Sequence, residues 1–378
     1  MDFSKVDAYL QSLPACGIPA AELAVTHNGK LVYRGAAGFS DAAKTKPVSS
    51  RDLYWIFSAS KIVTCVAAMR LVEQGLIALS DPVSKYIPEY ADVQVLDKAS
   101  GTLSPAKTPM TIEHLFTMTG GMTYDIEHPV ILEAATPTAT TQELVRAMAK
   151  MPLRAEPGTR YRYSLCHDVL AAVCEIVTGK RFSNYVQEVI FDPLGMKDIG
   201  FRPSDEQKIR FSDQYIYHAG TATAELVENG PYKYRFSDNY DSGGAGMFAA
   251  VDDYIKMLTV LANGGKTANG YVLLKPETIA MLQENRLCDD ARNDFVGTRL
   301  HGYGWGLCGR VHMNKTISRA RSALGEFGWD GAAGAFVLVD PANHVALYYG
   351  MEVRKCQYAY HRAHPELRDL VYEVLGIE

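Results

Sequence analysis

The apolar and polar positions divide the chain into strand-like ends and a helical middle. Phe3, Val6, Leu10 and Leu13 recur at helical spacing and predict a short amphipathic helix over 3–13. Apolar runs at 21–25 and 31–37 flank His27-Asn28-Gly29-Lys30, which predicts a β-hairpin closed by an Asn-Gly turn. A second apolar run, Leu53-Tyr54-Trp55-Ile56-Phe57, leads into Ser58-Ala59-Ser60-Lys61. Beyond it Ile62, Val66 and Met69 keep helical spacing as far as Gly75, so Ser58 is placed at a helix start. Residues 81–88 read as a short helix opened by Pro82 and closed by Pro88. Further helices are predicted over 111–118, ended by Gly120-Gly121, and over 142–151, 167–178 and 183–190, the third of these closed by Gly179.

From 211 to 240 the pattern changes. Tyr215, Tyr217, Tyr232, Tyr234, Phe236 and Tyr240 alternate with polar residues around Glu228-Asn229-Gly230-Pro231. This predicts an aromatic hairpin or loop, with packing favoured over a role as a pocket wall. Ser242-Gly243-Gly244-Ala245-Gly246 forms a Gly-rich turn before a helix over 251–263. It lacks the spacing of a phosphate-binding loop, so that role is weak. Short strands begin at Gly302-Tyr303-Gly304-Trp305-Gly306-Leu307, a strand pair is predicted over 335–341 and 345–350, and a helix over 366–375 ends the chain. Strands at both ends and helices between them predict an α/β (α+β) fold. In it, 1–80 and 241–378 form one domain around an antiparallel sheet, and 81–240 is an inserted, mainly helical domain.

Composition narrows the function classes. The 378 residues are 47% hydrophobic and 21% charged with a net charge of -5, ordinary values for a globular protein that show no basic surface for nucleic acid. No apolar run reaches the about 18 residues of a membrane span, and Met1-Asp2-Phe3-Ser4-Lys5 lacks the shape of a secretory signal. The seven cysteines (16, 65, 166, 174, 288, 308, 356) form no C-x-x-C and read as buried free thiols in a reducing compartment, so the expectation is a cytoplasmic protein. The ten histidines show no metal spacing, so neither metal nor organic cofactor is expected. His361 and His364 read as solvated residues at a helix start.

The candidate chemistry lies at Ser58 and Lys61. Three residues apart on a helix, they lie one turn from each other on one face, which sets an amine beside a hydroxyl. A serine hydroxyl becomes a nucleophile when a neighbouring base takes its proton, and the helix N-terminus favours developing negative charge. Against this stands the reading of Ser58 as a helix cap and Lys61 as a solvated first-turn lysine. A second S-x-x-K, Ser104-Pro105-Ala106-Lys107, sits among Gly101, Pro105 and Pro109 and reads as a loop.

Several stretches in order resemble the serine β-lactamase and penicillin-binding-protein superfamily, nearest to the class C β-lactamase-like branch with the family VIII carboxylesterases. They are Ser58-Ala59-Ser60-Lys61, the segments 81–88 and 111–121, Glu156-Pro157-Gly158-Thr159-Arg160-Tyr161-Arg162-Tyr163-Ser164, Asp241 to Gly246, and Phe327-Gly328-Trp329-Asp330-Gly331-Ala332-Ala333-Gly334. The resemblance implies a β-lactamase-like fold with the active site between the two domains. It implies Ser58 as nucleophile, Lys61 and Tyr163 as base and proton relay, and the backbone N–H groups of Ser58 and Ala332 as an oxyanion hole. Tyr161 is the rival of Tyr163. It also implies a substrate-binding role for Trp329, Asp330, Gly331 and Leu165.

Two positions depart from the family pattern. Leu165 stands where an asparagine follows Tyr-Ser, and Trp329-Asp330-Gly331 stands where many relatives carry a Lys or His motif. Loss of the amide and of the cation favours an ester or other neutral acyl substrate over a β-lactam or D-peptide. The expectation is a serine hydrolase of carboxylic esters, with a small-molecule ester, β-lactam or peptide-like substrate and no nucleic-acid or membrane partner. Oligomeric state is left open. The alternatives are a β-lactamase or D-amino-acid peptidase, an acyltransferase, and an inactive relative that binds acyl groups or peptides.

Overall fold

The structure, a computed structural model, describes residues 1–227, 235–296 and 300–377. Its centre is a seven-stranded antiparallel sheet in the order Tyr303–Gly306, Gly309–His312, Phe327–Gly328, Phe336–Asp340, Val345–Gly350, Ala20–His27, Lys30–Gly38. The two ends of the chain meet in its middle, where Leu23 pairs with Tyr349 and Tyr349 with Phe336. The Asn28-Gly29 turn closes the first hairpin with both residues at positive φ, 51° and 74°, as a tight hairpin turn requires.

The pleat sends alternate side chains to two cores. Leu23, Val25, Leu338, Leu347 and Tyr349 pack with Val6 and Leu10 of the Ser4–Ser12 helix and with Leu367 and Val371 of the His364–Leu375 helix. Ala24, Val337, Val339, Ala346 and Tyr348 face the larger core, shared with the Ser60–Glu73, Cys166–Thr178 and Val251–Ala262 helices. Because helices cover both faces, the two central strands over 336–340 and 345–350 are buried at every position and read as apolar runs.

The remaining pairings tie the middle of the chain to its ends. Ile199–Gly200 and Tyr54–Trp55 both pair with Phe248–Ala249, and Tyr215–His218 runs parallel to Val353–Arg354. Helices at Thr141–Met148, Cys166–Thr178 and Phe182–Val186 fill the segment between. We propose 1–80 with 241–378, and 81–240, as its two domains.

Several expectations need correction. Residues 81–88 form no α-helix: a three-residue 3₁₀ helix, Val83–Lys85, follows Pro82 as expected, but Pro88 opens a second one, Pro88–Ala91, rather than closing the first. Pro88 does so because proline fits the first turn, where its missing N–H costs nothing. The aromatic hairpin turns earlier than predicted, between Tyr215–His218 and Thr223–Leu226, and Tyr215 and Tyr217 pack in a core. The predicted turn at 228–231, with Tyr232 and Tyr234, lies outside the described residues. Ser104-Pro105 belongs to a small strand, Leu103–Pro105, paired with Gln94–Leu96. Five cysteines are buried, but Cys16 is half-buried and Cys288 exposed; all are free thiols. His364 is fully buried, its ring stacked 4.7 Å from that of Phe336. Among the described residues no helix is long and apolar enough to cross a membrane.

Candidate active site

Ser58 sits in a 3₁₀ turn, Phe57–Ala59, that feeds the Ser60–Glu73 helix. The turn is pinned from several sides. Ile56 N–H donates to Met247 O (3.1 Å), Ala59 N–H to Ile56 O (3.0 Å), and Tyr254 Oη to Ala59 O (2.7 Å). Trp55 N–H donates to the buried Glu352 carboxylate, whose titration burial pushes well up. Phe57, immediately before Ser58, holds φ at +45°, a left-handed conformation that is costly for a bulky residue and persists only when its surroundings impose it. The following helix is buried all round rather than on one face: Ser60 to Met69 are all buried. Lys61 is therefore drawn inside, 1% exposed, instead of lying in solvent.

Lys61 Nζ donates to Gly244 O at 2.6 Å and lies 3.4 Å from Ser58 Oγ. It also faces the rings of Tyr163 and Tyr124, 4.7 and 5.3 Å from their centroids. The two rings stack on each other at 5.4 Å. The Gly-rich turn thus serves as a lysine acceptor: Gly244 O takes Lys61, and Gly243 O takes Thr64 Oγ1 at 2.8 Å. No side chain fits there. A Cβ on Gly244 would meet Asp168 Oδ2 at 2.5 Å and Lys61 Nζ at 3.4 Å.

Of the two tyrosines, Tyr163 is the one beside Lys61. Its hydroxyl oxygen accepts a 2.9 Å bond from Trp329 Nε1–H. Tyr161 packs instead against Phe295 and Trp305, at 5.1 and 5.4 Å. The indole of Trp329 thus brings a neutral N–H to Tyr163. Leu165 is buried in the large core at the start of the Cys166–Thr178 helix. Asp330 is held elsewhere, its carboxylate 3.4 Å from Arg310 Nη1 and 3.9 Å from His364 Nδ1.

The Gly331–Gly334 run is a turn, with Gly334 N–H on Gly331 O at 2.9 Å. Its shape follows from the glycines: Gly334 has φ +96°, and a Cβ on Gly331 would come 2.4 Å from Ile56 O. Gly331 therefore lies against the backbone just before Ser58, and Ala332 beside it is exposed.

Sequence reasoning passed over Asp168, fully buried one turn after Leu165. Its Oδ1 accepts from Tyr240 Oη (2.7 Å) and Ser242 Oγ (2.6 Å), which anchors the turn that holds Lys61. Its Oδ2 has no hydrogen-bond partner among the described residues. Tyr124 was also missed, because no spacing links it to Tyr163.

His167, the residue before Asp168, is fully buried, with Nε2 3.2 Å from Phe116 O. Burial, and then the charge of Lys61, push its titration down to about 3. A histidine depressed in this way is neutral in the fold and protonates more readily in the unfolded chain. Its contribution is thus present above about 6.5 and lost as pH falls toward 3, on the order of 4–5 kcal/mol in full. Thermal melts from pH 7 to pH 4 are expected to show a steeper loss of Tm in the wild type than in His167→Gln. Equal slopes would refute this.

The comparisons with known proteins agree with this architecture. Residues 6–353 match the family model described as Beta-lactamase. Esterase EstB of Burkholderia gladioli is 29% identical over 372 residues, which cover 90% of this chain and 87% of that protein. Lovastatin esterase of Penicillium rubens is 30% identical over 285 residues, 72% of this chain and 70% of that protein. Among solved structures, EstCE1, described as a hydrolase with promiscuous acyltransferase activity, superposes with a TM-score of 0.81 at 26% identity and covers 98% of both chains. The architecture is the β-lactamase-like fold.

Proposed function

Because the chain belongs to the Beta-lactamase family, we propose that it is a serine hydrolase of carboxylic esters that works through an acyl-enzyme on Ser58. The observation that carries this reading is the buried Lys61 amine, 3.4 Å from Ser58 Oγ and 4.7 Å from the centre of the Tyr163 ring. Ester hydrolysis or acyl transfer on this fold is also what the names of EstB, lovastatin esterase and EstCE1 describe.

In this mechanism the Lys61–Tyr163 pair takes the Ser58 proton as Oγ attacks the ester carbonyl. The N–H groups of Ser58 and Ala332 take the developing oxyanion. Tyr163 returns the proton to the departing alkoxide, and water, activated by the same pair, releases the acid. The Trp329 N–H bond to the Tyr163 oxygen holds the phenol in place beside the Lys61 amine during the transfer.

Substrate class follows from the group above Tyr163. A neutral indole, bonded to the Tyr163 oxygen, offers no charge to a substrate carboxylate. This supports an uncharged acyl group. A second reading, acyl transfer to an alcohol or amine, is favoured by the likeness to EstCE1, described as a hydrolase with promiscuous acyltransferase activity.

The test compares p-nitrophenyl butyrate with nitrocefin. A charged hydrogen bond contributes about 1.5–3 kcal/mol, so kcat/KM for the ester is expected to exceed that for nitrocefin by about 10- to 150-fold. Nitrocefin turnover equal to or faster than the ester would place the protein with the β-lactamases or peptidases. No turnover of either, and no fluorophosphonate adduct at Ser58, would favour a binding protein.

A further inference from the structure

The turn that presents Ala332 is held from behind by the C-terminal segment. Tyr360 Oη donates to Gly331 O at 2.8 Å, and His364 Nε2 lies 3.0 Å from Gly334 O. Val353 N–H donates to Ala333 O at 3.0 Å. Three carbonyls of one four-residue turn are thus bonded to groups from a single stretch, 353–364. Between Tyr360 and His364 the chain makes a π-helical turn, Ala359–Ala363, where an α-helix would have been the default. Such turns are rare and place side chains out of the usual α-helical step. Here the two rings end edge-on to each other, 5.4 Å apart, with His364 also stacked on Phe336.

The consequence lies in one peptide plane. The carbonyl of Gly331 and the N–H of Ala332 belong to the same planar trans amide and point in opposite directions. A donor that fixes the carbonyl on one side therefore fixes the aim of the N–H on the other. A bond accepted by the carbonyl also polarises the amide and strengthens its N–H as a donor. Ala332 is the exposed residue of the turn, while Gly331, Ala333 and Gly334 are buried.

We propose that Tyr360 is a positioning residue of the Ser58 site: its hydroxyl, supported by the buried His364, locks the Gly331–Ala332 peptide so that the Ala332 N–H is aimed and strengthened as an oxyanion donor. This rests on the reading of Ser58 as the nucleophile and Ala332 as one of the two donors. It adds to that reading a part of the chain, the C-terminal helix start, that touches no reacting atom.

Tyr360→Phe removes only the hydroxyl. A donor that acts on the tetrahedral state and not on bound ester changes kcat alone. The variant is expected to lose about 10-fold in kcat, a fraction of the loss on removing an oxyanion donor outright, with KM within about twofold. Inhibition by an arylboronic acid, whose tetrahedral adduct places an oxygen on the same donors, is expected to weaken by the same factor. Fluorinated tyrosine at position 360 keeps the shape and makes the hydroxyl a stronger donor, so its kcat is expected at or above that of the wild type. Unchanged kcat in Tyr360→Phe, a loss confined to KM, boronate inhibition that does not follow kcat, or a fall in kcat with fluorotyrosine would each overturn the proposal. Ser58→Ala measured alongside separates the two levels. If it loses turnover while Tyr360→Phe does not, only the role of Tyr360 falls; if it retains turnover, both readings fall.

Discussion

Ser58→Ala is expected to lower kcat on p-nitrophenyl butyrate by about ten-thousand-fold or more, down to the level of whatever binding and oxyanion donors supply without a nucleophile. The size follows from the pathway: without Oγ no acyl-enzyme forms, and nothing else in the immediate site replaces it. Lys61 is committed to Gly244 O, and the Tyr163 oxygen to Trp329. The fold should tolerate the change. Ser58 is 9% exposed, and its turn is held by the bonds of Ile56, Ala59 and Trp55 rather than by its own side chain. Three readouts check it together: steady-state rate, the pre-steady-state burst of p-nitrophenol, and the mass of the fluorophosphonate adduct. An unaltered rate with an unaltered Tm would remove Ser58 as the proposed nucleophile.

Tyr163→Phe is expected to cost about 100- to 1,000-fold in kcat, and Tyr161→Phe less than about threefold. The two residues are two apart and both touch Trp305, so the contrast tests geometry rather than residue type. Only Tyr163 lies beside the Lys61 amine and accepts from Trp329; Tyr161 is packed between Phe295 and Trp305. Phenylalanine at 163 keeps the stacking on Tyr124 and the contact with Lys61 but removes the oxygen that would carry the proton. Parallel rates with slow and fast leaving groups sharpen the result, since a lost proton donor hurts the poorer leaving group more. Comparable losses in both variants, or a loss in Tyr161→Phe alone, would reassign the relay.

Much of the fold was legible where a local pattern had one physical solution. The Asn28-Gly29 turn requires positive φ, and the hairpin formed there. Gly75 and Gly179 end helices at positive φ, as predicted. The misses share a cause. Pro88 can stop a helix or start a turn, and the chain beyond it decides which. His361 and His364 look alike in the sequence, yet His364 is buried against Phe336 because the π-helical turn rotates it inward. Gly331–Ala332–Ala333–Gly334 has the small side chains of a close-packed strand, but Gly334 at φ +96° and the contact of Gly331 with Ile56 O make it a turn.

The sequence by itself determined that a serine and a lysine lie one helical turn apart, because helix pitch puts residues i and i+3 on one face whatever surrounds them. It also placed strands at both ends of the chain, because apolar runs of that length must be buried together. Only the tertiary structure decided the rest. It set Lys61 on Gly244 O, 183 positions away, brought Tyr163 rather than Tyr161 to the amine, and placed the Trp329 indole on the phenol. It seated Asp168 under the Gly-rich turn and Tyr360 behind Gly331. These contacts join residues far apart in the chain. No periodicity encodes them, since the direction of a buried hydrogen bond is fixed by how whole helices and strands pack.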